Sequence, residues 1–333
     1  MPALVLARRL CLWSLALGLP VALSTAWSAP ASGDLQGWLA RMVEGSRVRA
    51  YVGTFVVSSG SSLSSARIWH VCEGAQQVER VDALTGPPRS VFRHNDQVLT
   101  LWPNSRLARS EQRPSLGLFP ERLRAADARL AERYRLEAGG LVERVAGVPA
   151  DVVWLQPRDR LRYGYRAWVA QQSGLVLKLQ TLDPAGQVLE QSAFYELQLD
   201  APLKAEELLR QMSPPEGYRL ERLRPAPTTL AAQGWGLREE VAGFALQGCH
   251  QRSAHAPALA GIHCVFSDGL ASVSLFLEPQ PGRAVAGESL MAMGATHTLR
   301  TGLHQHAATF MGEVPPATLR LLASALERRQ GSP

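Results

Sequence analysis

RLRYGYRAWVAQQSGLVLKLQTL, residues 160–182, alternates: Leu161, Tyr163, Tyr165, Ala167 and Val169 fall on one face, and Arg160, Arg162, Arg166 and Trp168 on the other. A two-residue period with one apolar and one charged side is the pattern of a strand in an antiparallel sheet. Ser173-Gly174 then supplies a turn, and Leu175, Leu177 and Leu179 resume the period, so the stretch reads as a hairpin. A second turn, Asp183-Pro184-Ala185-Gly186, leads into a third strand, VLEQSAFYELQL (188–199).

Working outward, Asp34 is placed to cap a helix carrying Leu35, Trp38, Leu39, Met42 and Val43 at helical spacing. Short strands are expected at Tyr51 to Val57, Arg67 to Cys72, Gln77 to Val81, Ser90 to His94 and Gln97 to Trp102, with SSGSSLSS as a loop between the first two. Pro120 to Glu137 reads as a helix with Leu123, Leu130 and Tyr134 on one side, stopped by Gly139-Gly140, and Leu203 to Met212 as a closing helix. Strands in series with few helices predict an α+β fold, in which a large N-terminal antiparallel sheet curves over the helices. The proline-rich SPPEGYRLERLRPAPTT follows as a linker. Beyond it, strands at Ile262 to Ser267, Ala271 to Leu277, Thr296 to Leu299 and Ala307 to Met311, and a helix opened by Pro315-Pro316, make a small C-terminal α+β domain. The expected division is 1–31 signal peptide, 32–212 first domain, 213–230 linker and 231–327 second domain.

Two domains suit 333 residues. Arg8-Arg9 followed by the apolar run Leu10 to Leu23 is short for a membrane span and suits a secretory signal, with cleavage expected between Ala26 and Ala31 and an uncleaved anchor as the alternative. The mature chain is therefore expected to be soluble outside the cytoplasm. Loss of Arg8 and Arg9 lowers the formal charge from +6 to +4. Nearly all the positive charge is arginine, which favours carboxylate or phosphate partners, although arginines spread over solvated faces would give the same composition. The scattered charge and the export signal argue against nucleic acid.

Signs of an enzyme are weak: no Gly-x-Ser-x-Gly elbow, phosphate loop or His-Glu-x-x-His is present, and no cofactor is implied. Cys249, His250, His255, His263 and Cys264, with His297, His304 and His306 further on, hold enough ligands for zinc. Their spacing fits no standard finger, and nearby cysteines of an exported chain favour a Cys249–Cys264 disulfide over a metal, worth about 3 kcal/mol through loop entropy. Cys72 is then left as a buried free thiol. Phe55, Trp69, Tyr163, Tyr165, Leu177 and Phe194 are expected on the inner face of the curved sheet, as filled core or as walls of an apolar cavity.

Several separated motifs resemble those of the RseB/MucB family. They are Tyr51-x-Gly53-Thr54-Phe55, Arg67-Ile68-x-His70, Glu79-Arg80, Leu84-x-Gly86-x-Pro88-Arg89, Arg144-Val145-Ala146-Gly147, Arg162-Tyr163-Gly164-Tyr165-Arg166-x-Trp168 and Gly174-Leu175, with Pro157-Arg158-Asp159 before the hairpin. Ser267-Asp268-Gly269-Leu270-Ala271 and Gly312-Glu313-Val314-Pro315-Pro316-Ala317-Thr318 match in the second domain, while Phe310-Met311 and the cysteine–histidine cluster depart from the pattern. The resemblance implies a LolA-like half-barrel followed by a small domain, with no catalytic residue. It implies a regulator that binds the periplasmic domain of a membrane-spanning anti-sigma factor, shields it from proteolysis, and releases it on sensing lipid, lipopolysaccharide or a mislocalised outer-membrane protein or lipoprotein. A LolA-type lipid or lipoprotein carrier is the alternative, and a second copy of the chain is a further candidate partner. Under this resemblance the apolar set lines the ligand site, Arg80, Arg89, Arg162 and Arg166 contact its anionic groups, and Asp268, Gly269, Leu270 and Glu313 bind the partner.

Overall fold

The computed structural model describes residue 31 and residues 34–112, 129–223, 226–241, 243–252, 261–280 and 287–329. Residues 1–30 of the expected signal peptide and the first half of the expected helix 120–137 lie outside the described residues. Asp34 caps α1 (Leu35–Val48) by accepting the Gly37 amide at 2.8 Å, one of the donors that the first helical turn leaves free. Leu35, Trp38, Leu39 and Met42 are buried along one stripe of the helix.

That stripe is enclosed by one large sheet. The strands β1 (Tyr51–Ser59), β2 (Ser62–Glu73), β3 (Gln76–Ala83), β4 (Ser90–His94), β5 (Gln97–Trp102) and β6 (Leu107–Gln112) run outward in order on one side. After the short α2 (Leu130–Arg133), β7 (Tyr134–Val145), β8 (Val148–Pro157), β9 (Gly164–Ala170), β10 (Val176–Leu182) and β11 (Val188–Leu199) return to β1 from the other side. Phe55 stands opposite Phe194 where β1 meets β11. A single core joins α1 to Phe55, Ile68, Val81, Leu136, Val153, Tyr165 and Leu179, so the sheet curls around the helix. Each large apolar side chain removed from water there contributes about 1.5–3 kcal/mol. Across the sheet, α3 (Ala205–Gln211) packs Leu208 on Val71, Val78 and Trp69.

The proline-rich segment is stranded at both ends. Its β12 (Arg219–Arg222) pairs parallel with β6 as the twelfth strand of the large sheet, and its β13 (Ala226–Thr228) joins the second. The remaining strands are β14 (Trp235–Leu237), β15 (Ala245–Gln251), β16 (Ile262–Ser267), β17 (Ser272–Pro279), β18 (Ser289–Met293), β19 (Thr296–Leu303), β20 (His306–Gly312) and β21 (Leu326–Arg328). Six of these join β13 in a seven-stranded sheet of order β13-β15-β16-β17-β20-β19-β18, while β14 and β21 pair separately. Helix α4 (Pro316–Ala325) buries Leu319 and Leu322 in a core with Trp235, Phe266, Leu275 and Phe310.

Three expectations are corrected. SSGSSLSS is not a loop: Ser58 pairs with Leu63 and Ser59 with Ser62, so the two strands continue to a tight hairpin. Residues 134–137 are strand, because Tyr134 and Leu136 are buried while Arg135 is exposed, a two-residue period. Gly139-Gly140 accordingly sits in a β-bulge against Trp154 and stops no helix.

Candidate functional site

The turn between β16 and β17, Ser267 to Ala271, is fixed by its own side chains. Asp268 Oδ1 accepts the amides of Leu270 and Ala271 at 2.9 and 2.8 Å, Ser267 Oγ accepts that of Gly269 at 3.0 Å, and Gly269 takes φ +103°, open to glycine. This leaves Asp268 Oδ2 facing out of the turn into the first domain. There the Tyr134 hydroxyl donates to it at 3.0 Å and Arg162 Nη1 lies at 3.4 Å, with both members of the ion pair fully buried. Arg133 donates to the Asp268 carbonyl at 2.6 Å, and Leu270 packs on the core around α1.

Arg162 lies over the Tyr134 and Phe244 rings at 5.8 and 5.2 Å and reaches Asp159 at 3.2 Å. Thr318 of α4 donates to the Leu161 carbonyl at 2.6 Å, and the Tyr163 hydroxyl stands 3.4 Å from His297 Nδ1, whose other neighbour is the Val314 carbonyl. Burial, then Tyr165 and the Asp268 carboxylate, hold the Tyr134 phenol well above its ordinary range, so it remains a neutral donor. Burial and Asp183 push Tyr163 up to about 12. Chemically, this seam is a buried, hydrogen-bonded clasp between two bodies.

The sequence-selected residues divide between several environments. Phe55, Tyr165, Leu177 and Phe194 are core, Phe194 meeting Phe55 edge-on at 6.3 Å. Trp69 does not share their face: Phe55 stands opposite Ala66, which puts Ile68 and His70 inside and Trp69 on the α3 side. Tyr163 leaves the first domain's inner face for the seam. The four arginines do not converge. Arg80 grips Asp82 with two nitrogens over Trp69 and Phe92, Arg89 is exposed, Arg162 is inside the seam, and Arg166 stacks on Trp154 at 5.2 Å. Arg166 and Trp154 line a cleft of about 570 Å³ with Tyr165, Glu137, Asp159 and Asp183, whose carboxylates offset the one guanidinium. Asp268 and Leu270, expected at a partner surface, are instead occupied within the chain, with Gly269 half-buried between them and Glu313 half-buried nearby in sequence to Val314.

Cys249 and Cys264 are opposite in register on β15 and β16, and their sulfurs are bonded. His263 stacks on Phe276, His297 is in the seam, and His304 and His306 flank Trp235, while His255 lies outside the described residues. Among the described residues no three metal-binding side chains gather. Sequence reading gave no site role to Arg133, Tyr134, Phe244 or Thr318. Their one legible signal is the two-residue period at Tyr134 and Leu136, hidden beneath the helix reading.

The family models for the MucB/RseB N-terminal and C-terminal domains match residues 34–212 and 229–327. The chain belongs to the MucB/RseB family. The sigma factor AlgU regulatory protein MucB of Pseudomonas aeruginosa is 31% identical over 90% of this chain and 92% of its own length. The sigma-E factor regulatory protein RseB of Haemophilus influenzae is 23% identical over 84% and 86%. Among solved structures, the Pseudomonas aeruginosa MucA/MucB complex superposes with a TM-score of 0.70 at 26% identity, covering 89% of this chain and 99% of that one. MucB in complex with MucA(peri) gives 0.68 at 27%, covering 90% and 100%. No helix among the described residues is long and apolar enough to cross a membrane.

Proposed function

We propose that this chain is a periplasmic, non-enzymatic regulator that binds the periplasmic region of a membrane-spanning anti-sigma factor, shields it from proteolysis and releases it when envelope lipid or a misplaced outer-membrane component binds. The observation that carries the reading is that the family match spans both sheets and the seam between them, in a chain as long as relatives whose solved structures hold MucA. The clasp supports it further, because a ligand that favours one arrangement of two docked bodies must act on the contacts joining them.

Titrating the mature chain with the anti-sigma factor's periplasmic segment is the test, with saturable binding expected; its absence removes the regulator. If lipid drives release, lipid A fragments should weaken that binding about five- to a hundredfold, a coupling of about 1–3 kcal/mol, and the segment should weaken lipid uptake by the same factor. The cleft beside Trp154 favours a second reading, a lipid or lipoprotein carrier. Lipid uptake with no binding of the segment selects it.

A further inference from the structure

Away from the seam, four ionisable side chains form a chain of contacts on the inner face of β2, β3 and β4. Arg93 Nε donates to Glu79 Oε2 at 2.7 Å, and Glu79 Oε1 lies 2.7 Å from His70 Nδ1 and accepts from Gln77 at 3.3 Å. His70 Nε2 faces Cys72 Sγ at 3.3 Å, and its ring stacks on Tyr51 at 4.6 Å with an interplanar angle of 11°. His70, Glu79 and Arg93 are buried, whereas Cys72, at the solvent end, is half-buried and is the free cysteine among the described residues. This is the order of nucleophile, base and orienting carboxylate, with the base locked in one ring orientation by stacking.

Charge balance favours a polarised thiol. Arg93 already matches Glu79, so a proton moved from Sγ to Nε2 leaves a thiolate and an imidazolium that neutralise each other, the imidazolium donating its second N–H to Glu79.

We propose that Cys72 is a thiol–disulfide exchange site with the His70 imidazolium as the counter-ion of its thiolate, its substrate a small-molecule disulfide. Cys72 Sγ, its proton already on His70 Nε2, attacks one sulfur of the disulfide. The S–S bond breaks, the Cys72–S–S–R bond forms, and the other sulfur leaves as a thiolate. The two electrons of the original disulfide bond end on the leaving sulfur, so no further oxidant is needed. Cys249 and Cys264, bonded to each other, take no part.

The test uses the intact mature chain and dithiobis(nitrobenzoate), whose released thiolate is coloured. At about pH 6 the native protein should react about tenfold faster than free N-acetylcysteine, because the adjacent imidazolium favours the thiolate that a free thiol scarcely forms at that pH. Mass mapping should put the adduct on Cys72, Cys72→Ser should abolish it, and His70→Gln should return the rate to that of a free thiol. A native rate no faster than N-acetylcysteine, a rate indifferent to His70→Gln, or reaction only after unfolding overturns the proposal. If His70→Gln does not fold, the wild-type ratio to the free thiol decides.

Discussion

Arg162 separates what a residue's neighbours in sequence reveal from what they hide. It alternates with Leu161 and Tyr163 like any solvent-facing residue, yet it is buried against Asp268, and the carboxylate that explains it arrives from the other domain. Removing one member of a buried pair leaves the other charge uncompensated. Asp268→Ala should therefore lower stability by about 3–5 kcal/mol, while Arg162→Met with Asp268→Leu should recover much of it; urea denaturation measures both. His70 gives a second prediction. Burial alone would lower it, but Cys72 and Glu79 outweigh burial and raise it from 6.5 to about 9. A group raised in the folded chain stabilises fully below its unfolded value and loses that contribution as pH rises through its folded one. The melting temperature should thus fall between pH 6.5 and about 9, a slope that His70→Gln removes. Glu79 acts in the opposite sense: burial raises it, but His70 and Arg93 bring it down to about 2, so its contribution fades only below 4.5.

Elements with an apolar alternation were readable to the residue. Ser90–His94 and Gln97–Trp102 are strands with the expected ends, and Asp34 caps the expected helix. The polar half of β2 carried no such signal, since its hairpin is specified by backbone pairing alone. How α1 docks was also hidden. Arg41 reaches across to the Ala170 and Gln171 carbonyls and Asp151, and Gly45 lies so close to the β9–β10 turn that a methyl would stand 2.2 Å from the Gly174 carbonyl carbon. Gly45→Ala should cost about 1–3 kcal/mol by overpacking, visible as an earlier melt. In the second sheet, replacing both Cys249 and Cys264 with serine should cost about 3 kcal/mol, judged by their sequence separation of 15. Peptide mapping without reductant should recover the two cysteines joined.

At the scale of the molecule, two domains and their order were legible because composition changes after Met212, but their mutual fixing was not. A proline-rich run reads as slack, whereas its ends are strands in two different sheets. Opening the clasp should consequently swing the domains about that edge. Fluorophores on Arg160 and Arg320 should move apart in Arg162→Ala, while a pair on Arg222 and Gln251 should hold its transfer efficiency; equal changes in both pairs would mean wholesale separation. The chain from Arg222 to Ala226 is four residue steps, so the two sheet edges cannot part by more than about 15 Å while both strands hold. A released second domain therefore remains at a local concentration of order millimolar to its own docking surface. Any free partner present at micromolar levels competes for the exposed faces against a competitor roughly a thousandfold more concentrated, and must win by affinity.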